Sequence, residues 1–288
     1  MRWMIAGLFV LVIAGANGTA AAEDLMALRQ ALTLHASFDQ GMDADWARAD
    51  SACLVREGNG LVPAVANDQV RLAAGAGRYG NALHFTEKSA YRPLYQATET
   101  LAYNTQSWQA TVSIWMRLNP DLDLESGYCD PVQIIGDDTK KGFIFLEWSK
   151  NETPRFFRFA IRPLVHLWNP DNLAWEDITA DKRPMVQIQQ APFSRENWTH
   201  VAFTLESINN PQQGGRGTLY LNGQAQGTIE NWDLTFGWDP QRVQLVLGAA
   251  YVGYLDDLAV FDRALCEAEV RQLYELPGGA RDLWQSQK

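Results

Sequence analysis

The residues able to do chemistry in this chain are carboxylates and tryptophans. The sequence of 288 residues holds 34 acidic side chains against 24 basic ones, and 11 tryptophans. Asp256 and Asp257 lie in an alternating segment, Tyr254 to Phe261, where a strand puts Asp256 on one face with Leu258 and Val260. A carboxylate on a core-directed face needs a partner, because burying a bare charge is costly. A metal ion is one answer. An arginine, backbone N–H groups or a place at the sheet edge is another. Retaining glycoside hydrolysis would need two carboxylates about 5–5.5 Å apart, a separation that alternate strand positions deliver. No E-x-D-x-x-E segment supplies it. Asp121-Leu122-Asp123-Leu124-Glu125 alternates, but it follows Asn119-Pro120 and reads as a solvated loop. Glu147 and Glu152 are spaced to opposite faces. G-x-S-x-G and H-E-x-x-H are absent.

Trp168, Trp175, Trp232 and Trp238 sit close to Asn, Asp or Pro, as loop residues do. With Trp148 they form the candidate ligand-binding set. Aromatic faces can stack on sugar rings while nearby Asn and Asp take hydroxyl hydrogen bonds. The alternative is that these rings cap the ends of a hydrophobic core.

The elements that must position these residues read mostly as strands. Leu32, Leu34, Ala36 and Phe38 alternate with polar residues. Further strands are predicted over 81–85, 111–118, 143–148, 156–161, 199–205, 218–221, 243–247 and 254–261. Asn222-Gly223 is a strong hairpin signal followed by a return strand. One helix is convincing, carried by Leu265, Val270, Leu273 and Tyr274 and stopped by Pro277-Gly278-Gly279. Residues 162–195 form one long irregular stretch with Trp168, Trp175 and several prolines. The predicted class is all-β, a two-sheet antiparallel sandwich with one short C-terminal helix.

Residues 1–22 read as a secretory signal peptide. Arg2 precedes an apolar run too short to span a bilayer, and Ala20-Ala21-Ala22 offers a cleavage site. The expected product is exported (secreted, periplasmic or on the cell surface) and keeps no stable membrane anchor. Residues 23–31 are a lead-in, 32–276 the domain and 277–288 a C-terminal tail. A net charge of −10 excludes nucleic acid as a partner. Export permits a disulfide among Cys53, Cys129 and Cys266, and the odd count leaves at least one thiol over. Cys266 occupies a capping position three residues before Glu269, where Ser or Thr is usual.

Six segments together resemble laminin G-like domains of the concanavalin A-like superfamily. They are Phe38-Asp39, Gly80-Asn81-Ala82-Leu83-His84-Phe85, Thr111-Val112-Ser113-Ile114-Trp115, Asn197-Trp198-Thr199-His200-Val201-Ala202-Phe203, Leu219-Tyr220-Leu221-Asn222-Gly223, and Gly253 through Leu265. The resemblance implies a jelly roll, with Trp115 and Trp198 as packing residues and His200 as a hydrogen-bonded structural one. It also implies a structural calcium tying the first strand to the last. Asp39 and Asp256 match its carboxylates, with Asp257 as a fallback. The function it implies is non-catalytic binding of a glycan or an extracellular protein. A divergent glycoside hydrolase and a structural envelope protein are the alternatives.

Overall fold

The computed structural model describes residues 25–285; residues 1–22, read above as a signal peptide, lie outside them. Two antiparallel sheets face each other. The nine-stranded sheet holds β1 (Leu32–Ala36), β2 (Trp46–Ala47), β5 (Val70–Ala73), β6 (Ala82–Phe85), β8 (Trp108–Arg117), β13 (Thr199–Ile208), β14 (Gly215–Leu221), β15 (Gln224–Trp232) and β17 (Gly253–Phe261). The eight-stranded sheet holds β3 (Leu54–Glu57), β4 (Gly60–Pro63), β7 (Leu94–Gln96), β9 (Cys129–Ile135), β10 (Phe143–Trp148), β11 (Phe157–Arg162), β12 (Met185–Ile188) and β16 (Gln244–Ala249), in the spatial order β12-β11-β10-β9-β16-β7-β3-β4. This is the jelly-roll sandwich that the sequence predicts.

Alternation divides each strand between two environments. In β8, Val112, Ile114 and Met116 enter the core between the sheets, where Leu146 and Trp148 of β10 and Phe157, Phe159 and Ile161 of β11 meet them. The other face of β8 is buried too. Helix α1 (25–31), helix α4 (Glu267–Glu275) and a 3₁₀ turn at Gly279–Leu283 cover it with a second cluster that includes Leu28, Val270, Leu273 and Leu283. The segment read as a tail therefore packs onto the domain, and Ala280 is fully buried. β8 is therefore buried almost throughout, and its polar Thr111 and Ser113 are hydrogen-bonded to the Arg263 carbonyl and to His200. His200 of β13 points to the covered face, is fully buried and pairs with Ser113 Oγ at 2.8 Å. Burial pulls its pKa down to about 4 and keeps the ring neutral. Trp115 is buried on this face against Tyr274.

The irregular stretch 162–195 contains two elements that its sequence conceals. A one-turn helix, α3 (Val165–Trp168), opens it, and β12 pairs with β11 as an edge strand. The Asp121–Glu125 segment is likewise a one-turn helix, α2 (Pro120–Asp123), capped by Asn119.

Close approach of the two sheets is tightest at Gly248 of β16. A Cβ there would lie 1.9 Å from Cε1 of Phe85, and φ is +77°. Gly248→Ala is expected to destabilise the fold by more than about 2 kcal/mol, through overpacking and backbone strain together. Thermal unfolding checks this; an unchanged Tm would mean that the sheets are not held at this separation.

Candidate functional site

Among the described residues, the outer face of the eight-stranded sheet has no apolar cover like that over the nine-stranded sheet. Polar residues cross it from strand to strand. Gln244 of β16 is opposite Gln96 of β7, Glu147 of β10 is opposite Arg158 of β11, and Arg158 is opposite Gln187 of β12. Arg158 donates to Glu147 Oε1 at 2.9 Å and to Gln187 Oε1 at 2.8 Å. Glu152 also approaches Arg158, at 3.7 Å. Glu147 and Glu152 thus converge on one guanidinium instead of projecting to opposite faces.

A bulge places a second carboxylate beside this row. Cys129 pairs with Trp148 and Val132 with Leu146, so Asp130 and Pro131 together oppose the single residue Glu147. Asp130 Oδ2 accepts a hydrogen bond of 2.6 Å from Gln133, while Oδ1 is buried and has no partner. Burial, then the nearby Glu147 charge, push the Asp130 pKa up to about 7. Burial also raises Glu147 and lowers Arg162. Arg162 is held by aromatic faces, 4.3 Å from the ring centroid of Trp175, 5.1 Å from Trp168 and 4.8 Å from Phe145. Arg183 lies 4.2 Å over Trp175 and donates to its carbonyl.

Next to this cluster the same face opens into a groove of ≈ 910 Å³ across β9, β16, β7 and β3. Its floor carries Gln96, Gln133 and Gln244, its walls Arg56, Arg92 and Arg242. Among the described residues Asp137 is the one carboxylate lining it. Gln133 joins groove and cluster, since its side chain lines the first and bonds Asp130 in the second.

The predicted site residues separate into different places. Trp148 and Trp238 are buried in the core and present no face to a ligand, which corrects their assignment as ligand-binding residues. Trp238 donates to the Gly142 carbonyl at 2.8 Å, a cap on the sandwich end. Trp232 is half-buried at the end of β15 and packs against the core. Trp168 and Trp175 do come together, with ring centroids 6.5 Å apart, but cations occupy their faces. The groove residues Gln133, Arg92 and Gln244 were not among the predicted ones. The signal that could have found β9 is the run Val132-Gln133-Ile134-Ile135, masked by Pro131.

Asp39, Asp256 and Asp257 do meet, around the first and last strands. Asp256 is fully buried, with Oδ2 accepting from Tyr79 N at 2.9 Å and Oδ1 from Asp257 N at 2.8 Å. Burial pushes its pKa up to about 8. Asp39 Oδ1 accepts from Asn81 N at 2.7 Å, and Oδ2 pairs with Arg281. Asp257 pairs with His35 Nε2 at 2.7 Å and accepts from Ala280 N at 3.0 Å. Trp284 Nε1 donates to His35 Nδ1 at 2.9 Å, so the ring proton sits on Nε2 and points at Asp257. Every one of these partners is an N–H donor. The need of these carboxylates for partners is thus met by N–H groups without a metal, and among the described residues no group of three or more His, Cys, Asp or Glu could hold one. The backbone turn before Asn81 reaches the Asp39 carboxylate because Gly80 has no side chain: a Cβ there would lie 2.3 Å from Oδ1.

The three cysteines are free. Cys53 and Cys129 are buried, and burial pushes the Cys53 thiol up to about 12. Cys266 is exposed, with its backbone N–H bonded to Glu269 at 2.9 Å.

The family model for the concanavalin A-like lectin/glucanases superfamily, Laminin_G_3, matches residues 95–271, more than half of the chain. The chain belongs to this laminin G-like family. No curated protein matches it. Among solved structures, domain 4 of AbnA, a GH43 extracellular arabinanase from Geobacillus stearothermophilus in complex with arabinotriose, is 17% identical with a TM-score of 0.53, over 85% of this chain and 98% of that one. The botulinum neurotoxin serotype D binding domain is 15% identical with a TM-score of 0.54, over 86% of this chain and 52% of that one. The laminin G-like chain thus spans about half the length of the toxin domain. Identities this low establish a shared fold. No helix among the described residues is long and apolar enough to cross a membrane.

Two measurements check this electrostatic picture of the laminin G-like domain. The Tm is expected to be the same in calcium and in excess chelator, while Arg281→Ala, which leaves Asp39 short of a partner, lowers it by roughly 1–3 kcal/mol of stability. A calcium-dependent Tm would restore the ion. The second concerns Asp130, whose pKa is raised in the fold. Its contribution is fully present below its ordinary value and is lost as pH rises through about 7. Asp130→Asn is therefore expected to raise Tm at pH 8 and to change it little near pH 4; the opposite trend would place Asp130 in solvent.

Proposed function

We propose that this chain is a non-catalytic carbohydrate-binding domain that uses the groove on the outer face of the eight-stranded sheet. The observation that carries this reading is the amide floor of the groove. Gln96, Gln133 and Gln244 each offer a donor and an acceptor at one surface, the chemistry that sugar hydroxyls require. A non-catalytic role is supported by the carboxylates. Hydrolysis needs an acid and a base flanking one bond. The groove offers Asp137 alone, which pairs with Lys141 at 2.9 Å, while Glu147 is buried and bonded to Arg158. The leader-like residues 1–22 support action outside the cytoplasm.

AbnA domain 4 was solved with arabinotriose on this fold, which makes arabino-oligosaccharides a sensible first member of a probe set. Calorimetric titration against neutral and charged oligosaccharides is expected to show binding without release of reducing ends. The double substitution Gln96→Ala with Gln244→Ala should weaken it by roughly tenfold at unchanged fold, the loss of about two hydrogen bonds. Binding that survives this double substitution would move the site elsewhere, and released reducing ends would make the protein an enzyme.

A further inference from the structure

We propose that the groove selects anionic sugars, with carboxylate or sulfate groups, and that Arg92, Arg56 and Arg242 read that charge; this rests on the groove being the carbohydrate site. The argument begins with how the protein uses its arginines elsewhere. On a chain of net charge −10, carboxylates are plentiful and several surface arginines are paired with them. Arg48 pairs with Asp262, Arg195 with Asp123, Arg216 with Glu230, Arg263 with Glu269 and Arg281 with Asp39.

Arg71 and Arg78, also exposed, have no carboxylate partner among the described residues; what sets the groove apart is that three weakly partnered arginines line it together. Arg92 is exposed and makes no hydrogen bond or ion pair with the described residues; only its longer-range field reaches the buried Asp130. Arg56 reaches only a long contact of 3.4 Å with the neutral amide of Gln244. Arg242 stands 3.9 Å from Asp239, with both side chains mostly exposed, too open a pair to neutralise it. Asp137, the one carboxylate among the described lining residues, is itself held by Lys141. The groove is thus a local surplus of positive charge on an acidic protein.

Guanidinium groups present planar forks that match a carboxylate or a sulfate with two parallel hydrogen bonds. Amides between them would take the ring hydroxyls. A neutral sugar would use the amides and leave the three cations unmatched. An anionic polymer other than a sugar would use the cations and leave the amides unmatched. The combination is specific to a sugar that carries both groups. The same surplus would also draw an anionic ligand toward this one face, against the overall negative charge of the molecule.

The test is calorimetric titration of the purified protein with a galacturonate hexamer, a sulfated hexasaccharide and neutral arabinohexaose, at about 0.02 and about 0.3 M salt. At least one charged sugar is expected to bind roughly tenfold more tightly than the neutral one, about 1.4 kcal/mol, and to lose several-fold at the higher salt. Which of the two does so identifies the carboxylate or the sulfate as the anion. Arg92→Ala, and separately Arg56→Ala with Arg242→Ala, are expected to reduce charged-sugar affinity roughly tenfold more than neutral-sugar affinity, at unchanged Tm. Equal affinity for neutral and charged sugars, or no effect of salt and of the arginine variants, overturns this inference and leaves the binding function standing. No binding of any of the three overturns both.

Discussion

Two adjacent aspartates in a buried strand set the terms for much of this fold. Asp256 and Asp257 lie in β17, which is buried on both faces, and neither carboxylate can reach bulk water. A regular strand would send them to opposite faces. The chain instead breaks register after Asp256, and Asp257 takes a left-handed φ of 51°. That bulge is a strained solution, stable only because the surroundings supply donors. They come from three distant parts of the sequence: the turn at Tyr79, His35 in β1, and Ala280 near the C-terminus. First strand, last strand and C-terminal segment are fastened by one set of hydrogen bonds to these two aspartates.

Where function can sit follows from this fastening. It draws the C-terminal segment onto the nine-stranded sheet, beside α1 and α4, and so seals that face with an apolar layer. The eight-stranded sheet receives no such layer. Its outer face keeps a polar row and an open groove, with charge distributed unevenly along it. At one end, Glu147, Arg158 and Arg162 are desolvated and bind each other or aromatic faces. In the groove, amides and guanidiniums remain available. The first arrangement fixes geometry; the second is free to meet a ligand.

Much of the fold is legible in the sequence because long strands carry alternation and turn signals. β8, β10, β13 and β17 are read from their apolar positions, and α4 from its stripe and the glycines that stop it. Weak signals come from β2, β3, β4 and β7, which are only a few residues long and half-exposed or irregular. β9 is hidden for a different reason. Pro131 argues against a central strand, yet β9 pairs on both sides, because the bulge removes the need for a ladder N–H at that position. Asp256 is legible as a core-directed carboxylate that needs a partner, while Asp39 and Asp257 enter only as metal ligands that the family resemblance implies. The identity of their partners is not legible, since two are backbone N–H groups presented by turns remote in sequence, and one is an arginine in the segment taken for a tail.

The tryptophans show why residue type alone misplaces a binding site. An indole face stacks on a sugar only if it is free, and in this fold the rings have prior uses. Trp148 and Trp238 fill the core, and Trp108 beside Trp238 does the same. Trp168 and Trp175 hold Arg162 and Arg183, which keeps a poorly solvated cation over β11 and β10. That cation matters to the neighbouring carboxylates, because it offsets part of the cost of burying Asp130 and Glu147 next to each other. The rings of this loop are thus committed to cations and are not free to stack on a ligand, whereas the neighbouring groove exposes amides and guanidiniums.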